Sequence, residues 1–193
     1  MLGQVEPKRE RADALKNRAR ILEAARKVMK KRSLEELCMD ELAALAGVGK
    51  GTLYRRFEDK QALLHALLDD DERVLQEDVK QRFAVASRDA RGAAVELLDR
   101  LFAFVVDHAH VLAAAEASAR GGARYTCAPY AWRHSVIAHH LVRAGVAEGG
   151  ASAQLADMLL ATMSGEIVVR ALANETVADV RARAHAFFVT VVA

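Results

Sequence analysis

Hydrophobic residues recur along this chain at the spacing of an α-helix. In the first such segment they lie three or four positions apart, with lysine, arginine and glutamate between them; they are Ile21, Leu22, Ala25, Val28 and Met29. This pattern predicts an amphipathic helix that begins near Leu15 and ends at the basic residues 30–32. Residues 1–14, "MLGQVEPKRERADA", lack the period and predict a flexible basic arm.

A shorter helical pattern occupies residues 39–46, "MDELAALA". It places Leu42, Leu45 and Ala46 on one side, and two acidic residues stand in the first turn, where the helix dipole favours negative charge. Gly47 follows at the position of a C-terminal cap glycine. The segment therefore predicts a two-turn helix that ends in a tight turn.

A second short helix is predicted from Gly49 or Lys50 to Phe57. Leu53 and Phe57 are four residues apart, so they lie on one face and are expected to anchor this helix in a small core. The remainder of the chain is helical in pattern, with breaks near 87–92, 120–129, 144–152 and 173–176, and it contains no convincing alternating strand. An all-α fold is predicted.

Charge is unevenly distributed along the 193 residues. The whole chain has a net charge of +2, but residues 1–60 hold 15 Lys/Arg and 10 Asp/Glu, whereas residues 61–193 hold 13 and 16. A basic first third predicts an anionic partner for that part alone. The N-terminus does not resemble a signal peptide, and no apolar run is long enough to span a membrane, so a cytoplasmic protein without membrane contact is expected.

The stretch "GVGKGTLYRRF" at residues 47–57 has two chemical interpretations that both involve phosphate. A nucleotide-binding loop requires G-x-x-x-x-G-K-[ST], or G-x-G-x-x-G after a strand; here the spacing is G-x-G-x-G after a helix, which disfavours that interpretation. A solvated basic helix is a third alternative, but it leaves the small residues at the helix start unexplained.

A DNA-binding helix accounts for each residue of this stretch. Small residues at the start of a helix let backbone amides approach phosphates or base edges, and the positive end of the helix dipole adds attraction. Hydroxyl groups and long cationic side chains follow on the same helix, and they suit base edges and phosphates. The candidate DNA-binding residues are Lys50, Gly51, Thr52, Tyr54, Arg55 and Arg56.

The segment "MDELAALAGVGKGTLYRRFEDKQALL" resembles the DNA-binding segment of TetR-family transcriptional regulators, and the resemblance covers roughly residues 17–65. It implies a three-helix helix-turn-helix DNA-binding domain over residues 15–60, with the motif at about 38–57. It also implies a helical ligand-binding and dimerisation domain over residues 61–193. Lys60 would then bind backbone phosphate beside the residues named above.

Three positions depart from the family's usual pattern. Gly49 stands where serine often caps the helix, Cys38 stands at another usual Ser/Thr cap, and Arg56 stands where histidine is frequent. Weaker capping and a permanently charged phosphate donor are expected. Residues Lys8, Arg9 and Arg11 would add DNA contacts from the arm, or else form a solvated tail.

The resemblance also implies a homodimer formed by the last two helical segments, 152–174 and 177–193. The alternative is that their apolar residues form ordinary core. The candidate interface residues are Leu155, Leu159, Met163, Ile167, Val180, Phe187 and Phe188.

A pocket for an inducer is implied between about residues 90 and 170. Its candidate wall residues combine aromatic surface with polar groups, as ligand sites do, although any single one of them more often belongs to a core than to a ligand contact. They are Phe102, His108, Tyr125, Tyr130, Trp132 and Met163. The expected ligand is a small hydrophobic or amphipathic molecule.

Catalytic and metal-binding patterns are missing from the sequence. No H-E-x-x-H or G-x-S-x-G occurs, and neither His108 with His110 nor His139 with His140 has the spacing of a metal site. The acidic run "DDDE" at 69–72 is expected on a solvated helix face. An enzyme is not predicted, and neither a metal nor a cofactor is expected.

Together these features predict a ligand-responsive regulator, a repressor, that binds palindromic operator DNA as a dimer and is released by a small-molecule inducer. The alternative is an architectural or nucleoid-associated DNA-binding protein with the same DNA-binding helix and no inducer.

Overall fold

The computed structural model describes residues 7–29, 38–85, 87–118 and 127–193. Over these ranges the chain forms ten helices and no strand, which confirms the all-α prediction. The helices are α1 (Pro7–Met29), α2 (Met39–Ala46), α3 (Lys50–Arg56), α4 (Lys60–Arg82), α5 (Ala90–Asp107), α6 (Ala109–Ser118), α7 (Ala128–Arg143), α8 (Gly150–Thr162), α9 (Gly165–Leu172) and α10 (Val177–Val192).

The chain divides into two compact units, Met1–Asp70 and Asp71–Ala193, so the division falls within α4. The sequence predicted a domain boundary at residues 60–61. That position is the start of α4, ten residues before the division between the units. Each unit has its own cluster of buried apolar side chains.

Helix α1 begins at Pro7, eight residues earlier than the apolar period indicated. Residues 7–14 are therefore helical, which corrects the predicted flexible arm over that range; residues 1–6 lie outside the described residues. Proline suits the first turn of a helix, and lysine, arginine and glutamate are good helix formers, so this extension needs no apolar face of its own.

The core of the first unit is formed by the inner faces of α1 to α4. Helix α2 buries Leu42, Ala43 and Ala46, whereas Leu45 is 59% exposed. The sequence placed Leu45 on the same side of α2 as Leu42 and Ala46, but the buried stripe passes through positions 42, 43 and 46 and position 45 lies beside it. Leu45 instead lines an open groove of about 690 Å³ between α1 and α2.

The acidic run at residues 69–72 does not lie on one solvated face. Successive helical residues point about 100° apart, so four in a row cannot share a face. Asp69 is exposed, but the next three each contact a different helix, α1, α5 or α7. The pairs are Asp70 with Arg18 at 2.8 Å, Asp71 with His108 at 2.9 Å, and Glu72 with Arg133.

The core of the second unit is built around α5, which packs against α7 and α10. Helix α6 packs against α9, and α7 packs against α8. The crossing of α6 and α9 is close at Gly165, where an added Cβ would lie 2.6 Å from the backbone nitrogen of Ala113 and 2.8 Å from the carbonyl oxygen of Ala109.

Helix α9 begins at a polar break in a segment whose apolar pattern is otherwise continuous. Ser164 caps it by accepting a hydrogen bond from the backbone N–H of Ile167. The Glu116 carboxylate of α6 accepts hydrogen bonds from the Ser164 hydroxyl at 3.0 Å and from the Gly165 backbone N–H at 3.2 Å. A carboxylate at a helix N-terminus is stabilised by the helix dipole, so Glu116 fixes the start of α9.

No helix in the described ranges is long and apolar enough to cross a lipid bilayer.

Candidate nucleic-acid interface

The turn between α2 and α3 is made by Gly47, whose φ of 61° and ψ of 40° are left-handed. Two backbone hydrogen bonds of 3.0 Å close the turn, from Gly47 N–H to Ala44 and from Val48 N–H to Ala43. Val48 is half-buried against the core of the first unit. These features confirm the predicted glycine cap and give the paired bonds typical of a helix end.

Arg20 of α1 also holds this turn, and its contribution was not foreseen from the sequence. Its guanidinium donates a hydrogen bond to the carbonyl oxygen of Gly47 at 3.1 Å. The left-handed backbone at position 47 disfavours any side chain, and a Cβ there would also require the Arg20 guanidinium to move.

Helix α3 buries one face and exposes the other. Leu53 is fully buried and Phe57, just beyond the helix, is nearly so, which confirms both predicted anchors. Gly49 precedes the helix in an extended conformation and provides no side-chain cap. The opposite face carries exposed Lys50, Gly51, Tyr54, Arg55 and Arg56, with Thr52 half-buried, and half-buried Lys60 is the first residue of α4.

Asp40 of α2 places a negative charge on this basic face. Its Oδ2 lies 2.5 Å from Lys50 Nζ, and its Oδ1 accepts a longer hydrogen bond of 3.4 Å from the Tyr54 hydroxyl. The hydrogen bond and the charge of Asp40 raise the pKa of Lys50 above its usual value. The sequence indicated Asp40 only as a first-turn acid, because its contact with α3 depends on how the two helices cross.

The two arginines of α3 differ in what they contact. Arg56 makes a long hydrogen bond of 3.5 Å to the carbonyl oxygen of Ala14 on α1. Arg55 is exposed and has no hydrogen bond or ion pair with any described residue. Its guanidinium can therefore reach a partner outside the chain without first breaking a contact with any described residue.

The residues predicted to line an inducer pocket lie in the second unit, except Tyr125, which falls outside the described residues. Phe102 and Met163 are buried, and Phe102 meets Phe188 edge to face at 5.9 Å. Half-buried Tyr130 donates a hydrogen bond to Asp157 at 2.7 Å, and Trp132 packs against the core. Their role in ligand binding stays a prediction.

A polar cluster lies in the same unit, and its main pair was not recognised in the sequence. Glu72 and Arg133 form an ion pair with side chains only 8% and 13% exposed. Glu72 Oε1 and Arg133 Nε are buried without a described partner. The Arg133 guanidinium lies 5.0 Å from the ring centre of Phe104, on which the His108 ring stacks at 4.3 Å. No set of three or more potential metal ligands occurs within the described ranges.

Four of the residues predicted to form a dimer interface are buried within the second unit itself. They are Leu159, Met163, Val180 and Phe188, and they belong to its core. Buried side chains cannot also form a surface for a second copy, so these four are removed from the predicted set. Leu155 is half-buried, and Ile167 and Phe187 are each 43% exposed. The interface itself stays a prediction.

Comparison with known sequences and structures places these features in context. Residues 21–67 match the profile described as bacterial regulatory proteins, tetR family. An HTH-type transcriptional regulator of Staphylococcus aureus strain MRSA252 is 34% identical over 111 residues, which span 55% of this chain and 57% of that protein. A second, from strain bovine RF122 / ET3-1, is 41% identical over 61 residues, 32% of this chain and 33% of that protein. The matched part is thus at most little more than half of these relatives.

Two solved structures share the fold. A TetR-family transcriptional regulator from Pectobacterium atrosepticum superposes with a TM-score of 0.66 at 23% identity, over 91% of this chain and 92% of that one. The regulator FadR from Bacillus subtilis, in complex with stearoyl-CoA, has a TM-score of 0.62 at 18% identity, over 91% and 97%.

Proposed function

We propose that the chain is a transcriptional regulator of the TetR family, as the match of residues 21–67 to that family's profile supports. Its first unit binds double-stranded DNA, and its second unit regulates that binding. The observation that carries the proposal is the division of α3 into a buried face and an exposed cationic face. A short helix held this way presents its outer side chains to a major groove. The proposal assigns the chain a regulatory role in the cytoplasm and no catalysis.

We assign the residues of α3, and Lys60 at the start of α4, different roles according to their chemistry. Tyr54, Arg56 and Lys60 contact backbone phosphates and fix the position of the helix on DNA. Thr52 and Arg55 contact base edges, since a hydroxyl, a methyl and a guanidinium can discriminate bases. Arg55 suits this role because no described residue occupies its guanidinium.

We propose that the regulator acts as a homodimer on a palindromic operator. One short helix reads too few bases for useful specificity, and two copies related by a two-fold axis read half-sites about 34 Å apart. The proposed interface includes Ile167 and Phe187, the predicted residues that remain exposed on α9 and α10.

We propose that a small hydrophobic or amphipathic molecule binds the second unit and releases the operator, which makes the protein a repressor. The ligand must bind the conformation that cannot bind DNA more tightly than the one that can. By linkage, DNA then weakens ligand binding by the same factor. The FadR neighbour is complexed with stearoyl-CoA, so a long-chain acyl-CoA is a suitable first probe.

The test is a mobility shift with the DNA upstream of the chain's own gene, compared with a random duplex of equal length. Tyr54→Ala should weaken binding to both duplexes, because it removes a phosphate contact. Arg55→Ala should weaken operator binding about tenfold or more and relax the preference at one base pair. Arg91→Ala is the matched control, because Arg91 is exposed on α5 in the second unit.

Two outcomes would contradict the assignment. Equal and small effects of Tyr54→Ala and Arg55→Ala would exclude α3 as the reading helix. If no compound in a panel of hydrophobic ligands changes the operator affinity, an architectural DNA-binding protein is favoured instead.

A further inference from the structure

A carboxylate stands among the cations of the proposed DNA-binding face. Asp40 belongs to the first turn of α2, yet its side chain contacts α3. The two groups it contacts, Lys50 and Tyr54, are four residues apart and so project from the same side of α3. Each carboxylate oxygen has one of them as a partner, at 2.5 Å and 3.4 Å.

This arrangement has little to do with holding the unit together. The side chains of Lys50 and Asp40 are 66% and 44% exposed, and ion pairs as exposed as this add little to folding stability. The first unit is held instead by its buried cluster, to which Leu53 and Phe57 contribute. The main consequence of the Asp40 contacts is therefore for what Lys50 and Tyr54 can bind.

Both groups are natural phosphate ligands, and in the free protein both are directed toward a carboxylate. A DNA phosphate that reaches Lys50 must compete with Asp40 for the ammonium, and it must approach a carboxylate of like charge. Random DNA attracts such a protein almost entirely through phosphates, whereas an operator adds base contacts. Asp40 therefore removes a larger fraction of the binding free energy for random DNA, which depends on phosphate contacts, than for an operator, which also depends on base contacts.

We propose that Asp40 is a specificity-determining residue of the DNA-binding face. By occupying Lys50 and Tyr54, it weakens binding to DNA that offers only phosphate contacts. The proposal rests on the function proposed above, since it requires α3 to be the reading helix. It goes further in assigning part of the discrimination to an acidic residue outside that helix.

The experiment compares Asp40→Asn with the wild-type protein on two duplexes, one selected from a random library by the wild-type protein and one unselected. Dissociation constants are measured between about 50 and 200 mM salt. Asp40→Asn should bind the unselected duplex three- to tenfold more tightly and the selected duplex by a smaller factor. The salt dependence on unselected DNA should steepen by about 0.9 in log–log slope, the value for one additional phosphate contact.

Two further variants separate this mechanism from a general effect of charge. Glu58→Gln removes the same charge from an exposed residue between α3 and α4 that has no described ion pair, and it should change the specificity ratio much less. In a Lys50→Met background, Asp40→Asn should no longer steepen the salt dependence, because the lysine it would release is missing. Circular dichroism and thermal unfolding confirm that every variant folds.

Each other result overturns the inference. Equal effects of Asp40→Asn and Glu58→Gln would show that only net charge matters. Weaker binding to both duplexes would make Asp40 a support for α3, and an unchanged ratio would give it no part in discrimination. If the wild-type protein enriches no sequence at all, the proposed function fails as well, and that failure is visible before any variant is made.

Discussion

At the scale of single residues, His140 is a buried base whose charged form the fold disfavours. Its side chain is in the core of the second unit, its Nδ1 lies 2.8 Å from the carbonyl oxygen of Val136, and its Nε2 has no described partner. Burial lowers the pKa of His140 below 6.5, the hydrogen bond to Val136 opposes this, and the charges of His139 and Arg143 lower it further.

The lowered pKa predicts a loss of stability in mild acid. Below the unfolded pKa of about 6.5, the unfolded chain gains a proton at this position that the folded chain does not accept until its lower pKa is reached. The stability that neutral His140 contributes is fully present above about pH 6.5. It is lost as the pH falls from there to the lower pKa of the folded state. His140→Leu should therefore lose less stability between pH 7.5 and 5.5 than the wild type, as measured by chemical denaturation.

His65 supplies the control for this prediction. It is exposed on α4 in the first unit, so His65→Leu should leave the acid sensitivity close to that of the wild type. An equal loss of stability with pH in His140→Leu and in the wild type would assign the acid sensitivity to other groups.

Residue positions were predictable from the sequence where spacing along one helix determines them. Leu53 and Phe57 are an example, because residues four apart share a face whatever surrounds them. The contacts of Arg20, Asp40 and Glu72 were not predictable, because each of these residues contacts a residue outside its own helix. Such contacts depend on how the helices cross, and the spacing of apolar residues along the sequence does not determine the crossing geometry.

At the scale of elements, the crossing of α6 and α9 depends on Gly165. The added Cβ of an alanine there would overlap backbone atoms of α6, which cannot move aside as a flexible side chain can. Gly165→Ala should destabilise the protein by about 1–3 kcal/mol, the usual cost of overpacking. Thermal or denaturant unfolding would measure the change.

Gly150 offers a matched control at the start of α8. No atom lies within 4 Å of a Cβ added there, so Gly150→Ala should be neutral or stabilise by up to about 1 kcal/mol. Similar losses in both variants would show that the crossing tolerates a methyl group and that helix propensity dominates.

Helices were easier to predict than their ends. The period of apolar residues indicated α2 and α3 nearly as the structure has them, because each buries a regular stripe. The start of α1 at Pro7 was missed because residues 7–14 have no apolar period. The break between α8 and α9 was missed because the apolar pattern continues across Ser164, and the carboxylate that fixes it comes from Glu116, 48 residues away.

At the scale of the whole molecule, the proposed dimer predicts that one exposed aromatic residue controls assembly. Phe187→Asp should give a monomer, because burying an unpaired carboxylate against a second copy is costly. Operator affinity should fall as well, since only one half-site is then read at a time. Sedimentation velocity and mobility shifts measure the two effects.

Val142→Asp is the control for this prediction. Val142 on α7 is 46% exposed, close to the 43% of Phe187, but it lies outside the last two helices. It should leave the association state unchanged. A Phe187→Asp protein that remains dimeric would place the interface on another surface.

Three consecutive acidic side chains of α4 each have a partner on a different helix. Asp70 pairs with Arg18 of α1 within the first unit, whereas Asp71 and Glu72 pair with His108 of α5 and Arg133 of α7 within the second. Successive side chains of a helix point about 100° apart. A rotation of α4 about its own axis would therefore exchange or break the Asp70 pair in the first unit and, separately, the Asp71 and Glu72 pairs in the second.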